Sequence, residues 1–278
     1  MSSSETTGQQ IFSDLALAQR LERAEGLSNR EYVETRVRRQ PGCGSCWTEI
    51  AGASAMYDGP ASPLTQTFGL GMSRAVTADE LAALENFFQS RGAPVFHEIS
   101  PLADAALWPL LRERGYHPFE FTSVMFRPSG DGIALEGQRN EAITVRLARE
   151  DEHEMWARTA SEGWSEFVEF AGYIYEMSLN CIQMRDTYSF FAELDGRPVA
   201  TGGLSLRAGV ALLAGASTLP AARKQGAQLA LLEARLRFAA AQGCDLAMMC
   251  ALPGSASQRN AERQGFRIAY TRSKWRLN

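Results

Sequence analysis

The chain has 278 residues, 45% of them hydrophobic and 22% charged, with a formal net charge of −4; this excludes wholesale disorder and leaves room for two domains. A pI near 5.6 argues against a nucleic-acid partner, and no apolar run reaches the roughly 18 residues of a membrane span. Five scattered cysteines make no disulfide framework and the opening MSSSETTGQQ carries no leader pattern, so a cytoplasmic protein is expected.

In the first half, Cys43-Gly44-Ser45-Cys46 has the spacing of a metal or redox pair, but no second pair or nearby His completes it. It reads as a glycine-rich turn entering a strand over 47–50, and no metal site is expected. Thr77-Ala78-Asp79-Glu80 is a capping box that opens a helix carrying the apolar residues of 82–88. A strand over 95–99 contains His97, read as structural; a helix over 105–114 and a closing strand over 119–127 follow. The segment 129–141, rich in Gly and polar residues, reads as a linker between units at 1–128 and 142–278.

The second half begins with an alternating strand over 143–149 and continues with helices over 151–164 and 166–180. Phe167, Phe170, Ile174, Met177 and Ile182 form an apolar stripe at helical spacing. Strands over 188–194, 198–206 and 210–219 are joined by the turns Asp195-Gly196-Arg197 and Ala208-Gly209. A helix over 227–242 stops at Gly243, followed by a buried strand over 246–252, a short helix over 255–263 and a strand over 267–277. Cys250 reads as a small core residue. The order is that of a mixed α/β layer fold.

Three short matches tie the halves together in the same order. Glu25-Gly26-Leu27-Ser28 is answered by Glu162-Gly163-Trp164-Ser165, Leu81-Ala82-Ala83-Leu84-Glu85 by Leu229-Ala230-Leu231-Leu232-Glu233, and Glu113-Arg114-Gly115-Tyr116 by Arg263-Gln264-Gly265-Phe266. One unit therefore occurs twice. Charge is divided unevenly: 141–195 holds 12 acidic and 4 basic residues, 196–278 holds 3 acidic and 12 basic. The sign change suits either two paired faces or a cleft between an anion and a cation.

The chemistry concentrates at Ser217-Thr218-Leu219-Pro220, which leads through Arg223-Lys224-Gln225-Gly226-Ala227-Gln228 into the helix that starts near 227. No carboxylate lies between Gly196 and Leu232. The helix start therefore offers free N–H groups and a partial positive charge beside Arg223 and Lys224, either an anion site or an ordinary turn. The first-half counterpart, with Asp79 and Glu80 in its capping box, would repel phosphate.

These residues resemble the signature of the GCN5-related N-acetyltransferases, Gln/Arg-x-x-Gly-x-Gly/Ala after a strand and a Pro. Pro220, Arg223 and Gly226 match, Gln228 stands where Gly or Ala is usual, and Gly265-Phe266 matches the family's last helix end. The resemblance covers 143–278 and implies two tandem α/β folds of this type with a mixed sheet, the first degenerate and lacking a cofactor site, packed so as to wall the acceptor pocket. It implies acetyl-CoA as cosubstrate, with Ser217, Thr218 and Leu219 pairing the pantetheine arm and Arg223, Lys224, Gln225, Gly226, Ala227 and Gln228 holding the pyrophosphate. Asn260 is a further cofactor candidate, out of register with the family's usual Asn, whose place is Gly254. The family's thiolate-protonating Tyr falls on Ala261, and 211–220 contains no Asp, Glu, His or Tyr. Glu162 and Glu166, with Glu169 and Trp164 nearby, are the candidate base or amine anchors. The expected activity is acetyl transfer to a small, cationic amine; a non-catalytic acyl-CoA sensor and a structural interaction module are the alternatives, and a homodimer stays open.

Overall fold

The computed structural model describes residues 11–130, 135–166 and 168–278. Residues 131–134 of the expected linker and Phe167 lie outside the described residues, as do the side chains of Glu169 and Phe170.

The first half starts with a 25-residue helix, α1 (Leu15–Arg39), capped by Asp14, whose carboxylate accepts from the Leu17 N–H at 2.9 Å. Then come β1 (Cys46–Ile50), β2 (Ala53–Tyr57), β3 (Gln66–Phe68), α2 (Ala78–Gln89), β4 (Phe96–Ile99), α3 (Leu107–Glu113) and β5 (Tyr116–Pro128). The second half runs β6 (Ile143–Leu147), α4 (His153–Glu162), α5 (Val168–Cys181), β7 (Thr187–Leu194), β8 (Arg197–Arg207), β9 (Val210–Thr218), α6 (Ala227–Ala241), β10 (Leu246–Ala251), α7 (Ala256–Arg263) and β11 (Arg267–Leu277). The order helix, three strands, helix, strand, helix, strand thus occurs twice. In the second copy β6 is added in front and the opening helix is broken into α4 and α5. The repeated Glu-Gly-x-Ser segment therefore lies inside the continuous α1 in one copy and at the α4–α5 turn in the other. What the two segments share is the glycine, which lets a helix face approach the sheet: a Cβ on Gly26 would lie 3.3 Å from Ser54 Oγ, one on Gly163 1.8 Å from Ser217 Oγ.

All strands belong to one 11-stranded mixed sheet, ordered β1-β2-β3-β4-β11-β5-β10-β9-β8-β7-β6. The parallel pairs are β3 with β4 and β10 with β9, the strands linked through α2 and α6. The two copies exchange their final strands. β11 lies between β4 and β5, antiparallel to both, and β5 lies between β11 and β10.

Successive residues of β9 face opposite sides of the sheet, as a pleated strand requires. Val210 and Leu212 pack in a cluster with Leu17, Ala18, Leu21 and Ala24 of α1, while Ala211 and Leu213 pack with Leu231 and Leu236 of α6. The helix α1 therefore crosses the second copy's strands. It is tied there by Asn180, fully buried, which donates to the Tyr32 carbonyl at 2.8 Å, and by the Arg20–Asp245 ion pair. No helix among the described residues is long and apolar enough to cross a membrane.

Candidate functional site

The parallel ladder between β9 and β10 stops at Leu212–Met248, although β9 continues to Thr218 and β10 to Ala251. Beyond that point the two strands part, leaving a V-shaped cleft through the middle of the sheet. On the α6 side a groove of about 520 Å³ is lined by Ser217, Thr218, Arg223, Lys224, Gly226 and Gln228, and it continues toward α7 into a hollow of about 710 Å³. Gln228, Leu229 and Asn260 line both. On the α1 side a separate cavity of about 360 Å³ opens against Leu212, Leu213, Ala214 and Gly215 of β9 and Cys250 of β10. Met249, next to Cys250, lines the α7-side hollow instead.

The loop into α6 is built for close approach. Lys224 has φ +61° and Gly226, the N-cap of α6, has φ +90°, with no side chain capping the helix. Its N–H groups are therefore left for another acceptor. In α2 the capping box expected from the sequence is formed: Thr77 accepts from the Glu80 N–H, and Glu80 accepts from the Thr77 N–H and pairs with Arg74. The only two lysines of the chain are Lys224 and Lys274, so one of them stands at this loop.

Ser217, Thr218, Arg223, Lys224, Gly226, Ala227, Gln228 and Asn260 converge on the groove. Leu219 and Gln225 do not line it: the Leu219 N–H donates to the Val199 carbonyl, and the Gln225 carbonyl accepts from Asn140 Nδ2 at 2.8 Å. Gln228 reaches back across the groove, its Nε2 donating to the Ser217 carbonyl at 3.0 Å and to Thr218 Oγ1 at 2.8 Å. Arg223 binds Glu166 at 2.7 Å and the Gly163 carbonyl at 3.0 Å, closing the α4–α5 turn over the groove. Glu162 is exposed, and neither it nor Glu166 lines the α1-side cavity. Trp164 borders the groove.

Between the two openings, β9 bulges. Thr201 pairs with Ser217 and Gly203 with Ala214, so two residues of β9, Gly215 (φ +61°) and Ala216, oppose Gly202 alone. Buried Arg235 holds this kink: its guanidinium donates to the carbonyls of Gly203 at 3.1 Å and Ala214 at 3.4 Å, and to Leu231 at 3.2 Å. Those acceptors are all carbonyls, and burial lowers its pKa to about 10. Trp156 packs beneath the bulge, its indole N–H donating to the Phe190 carbonyl.

The α1 side of the cavity is acidic. Arg272 of β11, 3% exposed in its side chain, binds three carboxylates: Glu25 at 2.8 and 3.1 Å, Glu98 at 2.9 Å and Glu22 at 3.2 Å. Tyr270 also donates to Glu22. Burial raises the Glu22 and Glu98 pKa values above the usual carboxylate range, opposed by Arg272. Cys250 donates to Glu25 at 3.5 Å, and burial with the neighbouring carboxylates keeps its thiol protonated. Elsewhere, His97 is buried against the Tyr116 hydroxyl at 3.0 Å, its pKa lowered to about 3 by burial, a structural pair. All five cysteines are free, and among the described residues no group of three His, Cys, Asp or Glu could hold a metal ion. Of these residues the sequence flags Glu25 only through its repeat; nothing in it singles out Ser189, which lines the cavity, or Arg235.

The Acetyltransferase (GNAT) family model matches residues 149–266. Among solved structures the chain is similar to a GCN5-related N-acetyltransferase from Kribbella flavida, 18% identical over 94% of this chain and 95% of that one, with a TM-score of 0.67. It is also similar to a tandem GNAT protein from the clavulanic acid biosynthesis pathway, 12% identical over 96% and 97% with a TM-score of 0.56. A GCN5-related N-acetyltransferase from Sphaerobacter thermophilus is 16% identical over 95% and 91%, TM-score 0.54. No curated protein matches the chain.

Proposed function

From the match of residues 149–266 to the Acetyltransferase (GNAT) family model, we propose that the protein transfers an acetyl group from acetyl-CoA to the amine of a small, cationic acceptor. The observation that carries this reading is the parting of β9 and β10 beyond Leu212–Met248, with a groove on one face of the sheet and a second cavity on the other. A thioester lying in the groove would present its acyl carbon to the cavity through the cleft. The residues fit the cosubstrate: Gly226 lies in the left-handed region, and a Cβ there would stand 3.3 Å from Asn140 Cβ. In this reading the N–H groups of 224–228 and the side chains of Arg223 and Lys224 hold the pyrophosphate, Ser217 and Thr218 offer backbone to the pantetheine arm, and Asn260 borders it.

The cosubstrate supplies an activated acyl carbon. The backbone N–H groups at the Gly215–Ala216 bulge, held by Arg235, would polarise its carbonyl as charge develops on the oxygen. The neutral amine attacks that carbon, the carbon–sulfur bond breaks, the amine proton leaves to a base and the thiolate takes up a proton. With Ala261 at the family's tyrosine position, water serves as the proton donor in this reading.

The test is calorimetric titration of acetyl-CoA, followed by free-thiol release in the presence of an amine panel. Binding with amine-dependent release is expected. Binding with no release from any amine would favour the second reading, an acyl-CoA sensor, which the absence of a strand carboxylate on β9 supports. No binding would leave only the fold. Gln228 gives a finer check. Its amide occupies the Ser217 carbonyl that a strand-like ligand needs. Gln228→Ala is therefore expected to tighten acetyl-CoA binding by about two- to tenfold, the worth of one net hydrogen bond; weaker binding in the same titration would mean that the amide contacts the cosubstrate instead.

A further inference from the structure

We propose that the first copy supplies the acceptor-recognition residue: Glu25 of α1, together with the orphan hydroxyl of Ser189 in the same lining, selects a compact, hydroxyl-bearing amine in the 360 Å³ cavity. This rests on the acetyl-transfer reading above, and names what the cavity takes.

The cavity is assembled from both copies. β9 and β10 form the wall that faces the cleft, while α1 closes the opposite side with Glu25, Ser28, Asn29 and Tyr32. Its size suits a ligand near the lower limit of small-molecule sites. The charge on the α1 side favours a cation. One guanidinium serves three buried or half-buried carboxylates, Glu22, Glu25 and Glu98. The thiol of Cys250 is neutral, and the one further cation that acts on the trio, Lys274, acts at Glu98. Glu25 is the member of the trio that lines the cavity, and its bidentate pairing with Arg272 fixes the carboxylate in place.

Ser189 is an independent sign of a polar ligand. It lies on β7, is 6% exposed and lines the same cavity, yet its Oγ has no hydrogen-bond partner. Buried hydroxyls are rarely left so, and this one belongs to a residue that lines a space large enough for a guest. Thr187 and Ser205, bonded to each other, and Ser28, Asn29 and Tyr32 of α1 add polar groups to the lining, while Trp156, Met177, Met184 and Leu212 give it an apolar wall. A small carbon skeleton with one amine and one hydroxyl would satisfy Glu25 and Ser189 and pack against that wall.

The experiment compares Glu25→Gln, Asn29→Phe and Ser189→Ala with the wild type, using acetyl-CoA titration and steady-state thiol release with ethylamine, ethanolamine, glucosamine and tyramine. Acetyl-CoA affinity is expected to stay within twofold. The KM of the preferred amine is expected to rise about 10- to 100-fold in Glu25→Gln, the worth of a charge-assisted hydrogen bond. Asn29→Phe fills the cavity one helical turn from Glu25 and leaves every charge of the Arg272 cluster in place, so it raises the acceptor KM even where Glu25→Gln folds poorly. Ser189→Ala should raise the KM for ethanolamine and leave that for ethylamine unchanged, a split that general loosening of the fold does not produce. Wild-type acceptor KM values in both Glu25→Gln and Asn29→Phe, with acetyl-CoA binding intact, would overturn the inference and leave acetyl transfer standing. Wild-type protein that binds acetyl-CoA but releases no thiol with any of the amines would also overturn it. Failure of the wild type to bind acetyl-CoA at all would remove the transfer reading and this inference with it.

Discussion

Gly226→Val is expected to weaken acetyl-CoA binding about 10- to 100-fold, the cost of forcing a branched side chain into the left-handed region at a ligand cradle. Gly226 has φ +90°, and its added Cβ would stand 3.3 Å from Asn140 Cβ. Relief comes from rotating the N–H groups away from the groove or from displacing Asn140, which is bonded to the Gln225 carbonyl of the same loop. The control lies at the other end of the same helix. Gly243 has φ +78° with nothing within 4 Å of an added Cβ, so Gly243→Ala strains α6 without touching the cradle. Calorimetric titration of both variants separates the two effects. Equal affinity for Gly226→Val and the wild type would remove the loop from 224 to 228 as the pyrophosphate site.

Arg272→Met is expected to cost about 3–5 kcal/mol of stability at pH 8, the usual penalty for leaving buried charge without its partner. Arg272 is 3% exposed in its side chain, and its removal strands Glu22, Glu25 and Glu98 together. At about 2–4 °C per kcal/mol for a protein of this size class, Tm falls by roughly 10 °C. Acid should restore part of the loss. Burial already raises the Glu22 and Glu98 pKa values above 4.5 in the folded protein, so the folded state binds these protons more tightly than the unfolded chain. That contribution to stability is fully present below about 4.5 and is lost as pH rises through the folded values. Without Arg272 those values rise further, and the deficit in urea midpoint should shrink between pH 8 and pH 5. A deficit of equal size at both would mean that lost packing, rather than stranded charge, destabilises the variant. Glu22→Gln keeps the acceptor for Tyr270 and Arg272 and removes one carboxylate, so its stability should depend less on pH than the wild type's.

The second copy could be read closely from its punctuation. Asp195-Gly196 and Ala208-Gly209 mark the hairpins, Gly243 ends α6, and the strands between alternate or run apolar, so expected and observed boundaries differ by one or two residues. The first copy was harder for reasons visible in its residues. β2, Ala53–Tyr57, is buried along nearly its whole length and shows no alternation, and β3 spans three residues. The long helix α1 keeps buried Glu22, Ser28 and Thr35 on its packed face, which blurs its apolar stripe. The groove followed from a local loop, whose residues are neighbours in the chain. The cavity did not, because Glu25, Ser189 and Arg272 meet only through tertiary structure. Glu162 and Glu166, the carboxylates the sequence points to, lie near the loop; Glu25, the counterpart of Glu162 in the repeat, lines the cavity.

The strand exchange has a consequence for how the chain folds. Ile99 of β4 pairs with Ser273 of β11, and Tyr116 of β5 with Leu277, contacts of very large sequence separation in the middle of the sheet. Topologies dominated by such contacts fold slowly, because the chain between the partners must be ordered before the pairing rewards it. During synthesis β4 and β5 leave the ribosome with an empty slot between them, two open edges that invite pairing with other chains until β11 arrives. Slow synthesis lengthens that interval, so the yield of folded protein should depend on translation rate and on chaperones that hold open edges apart.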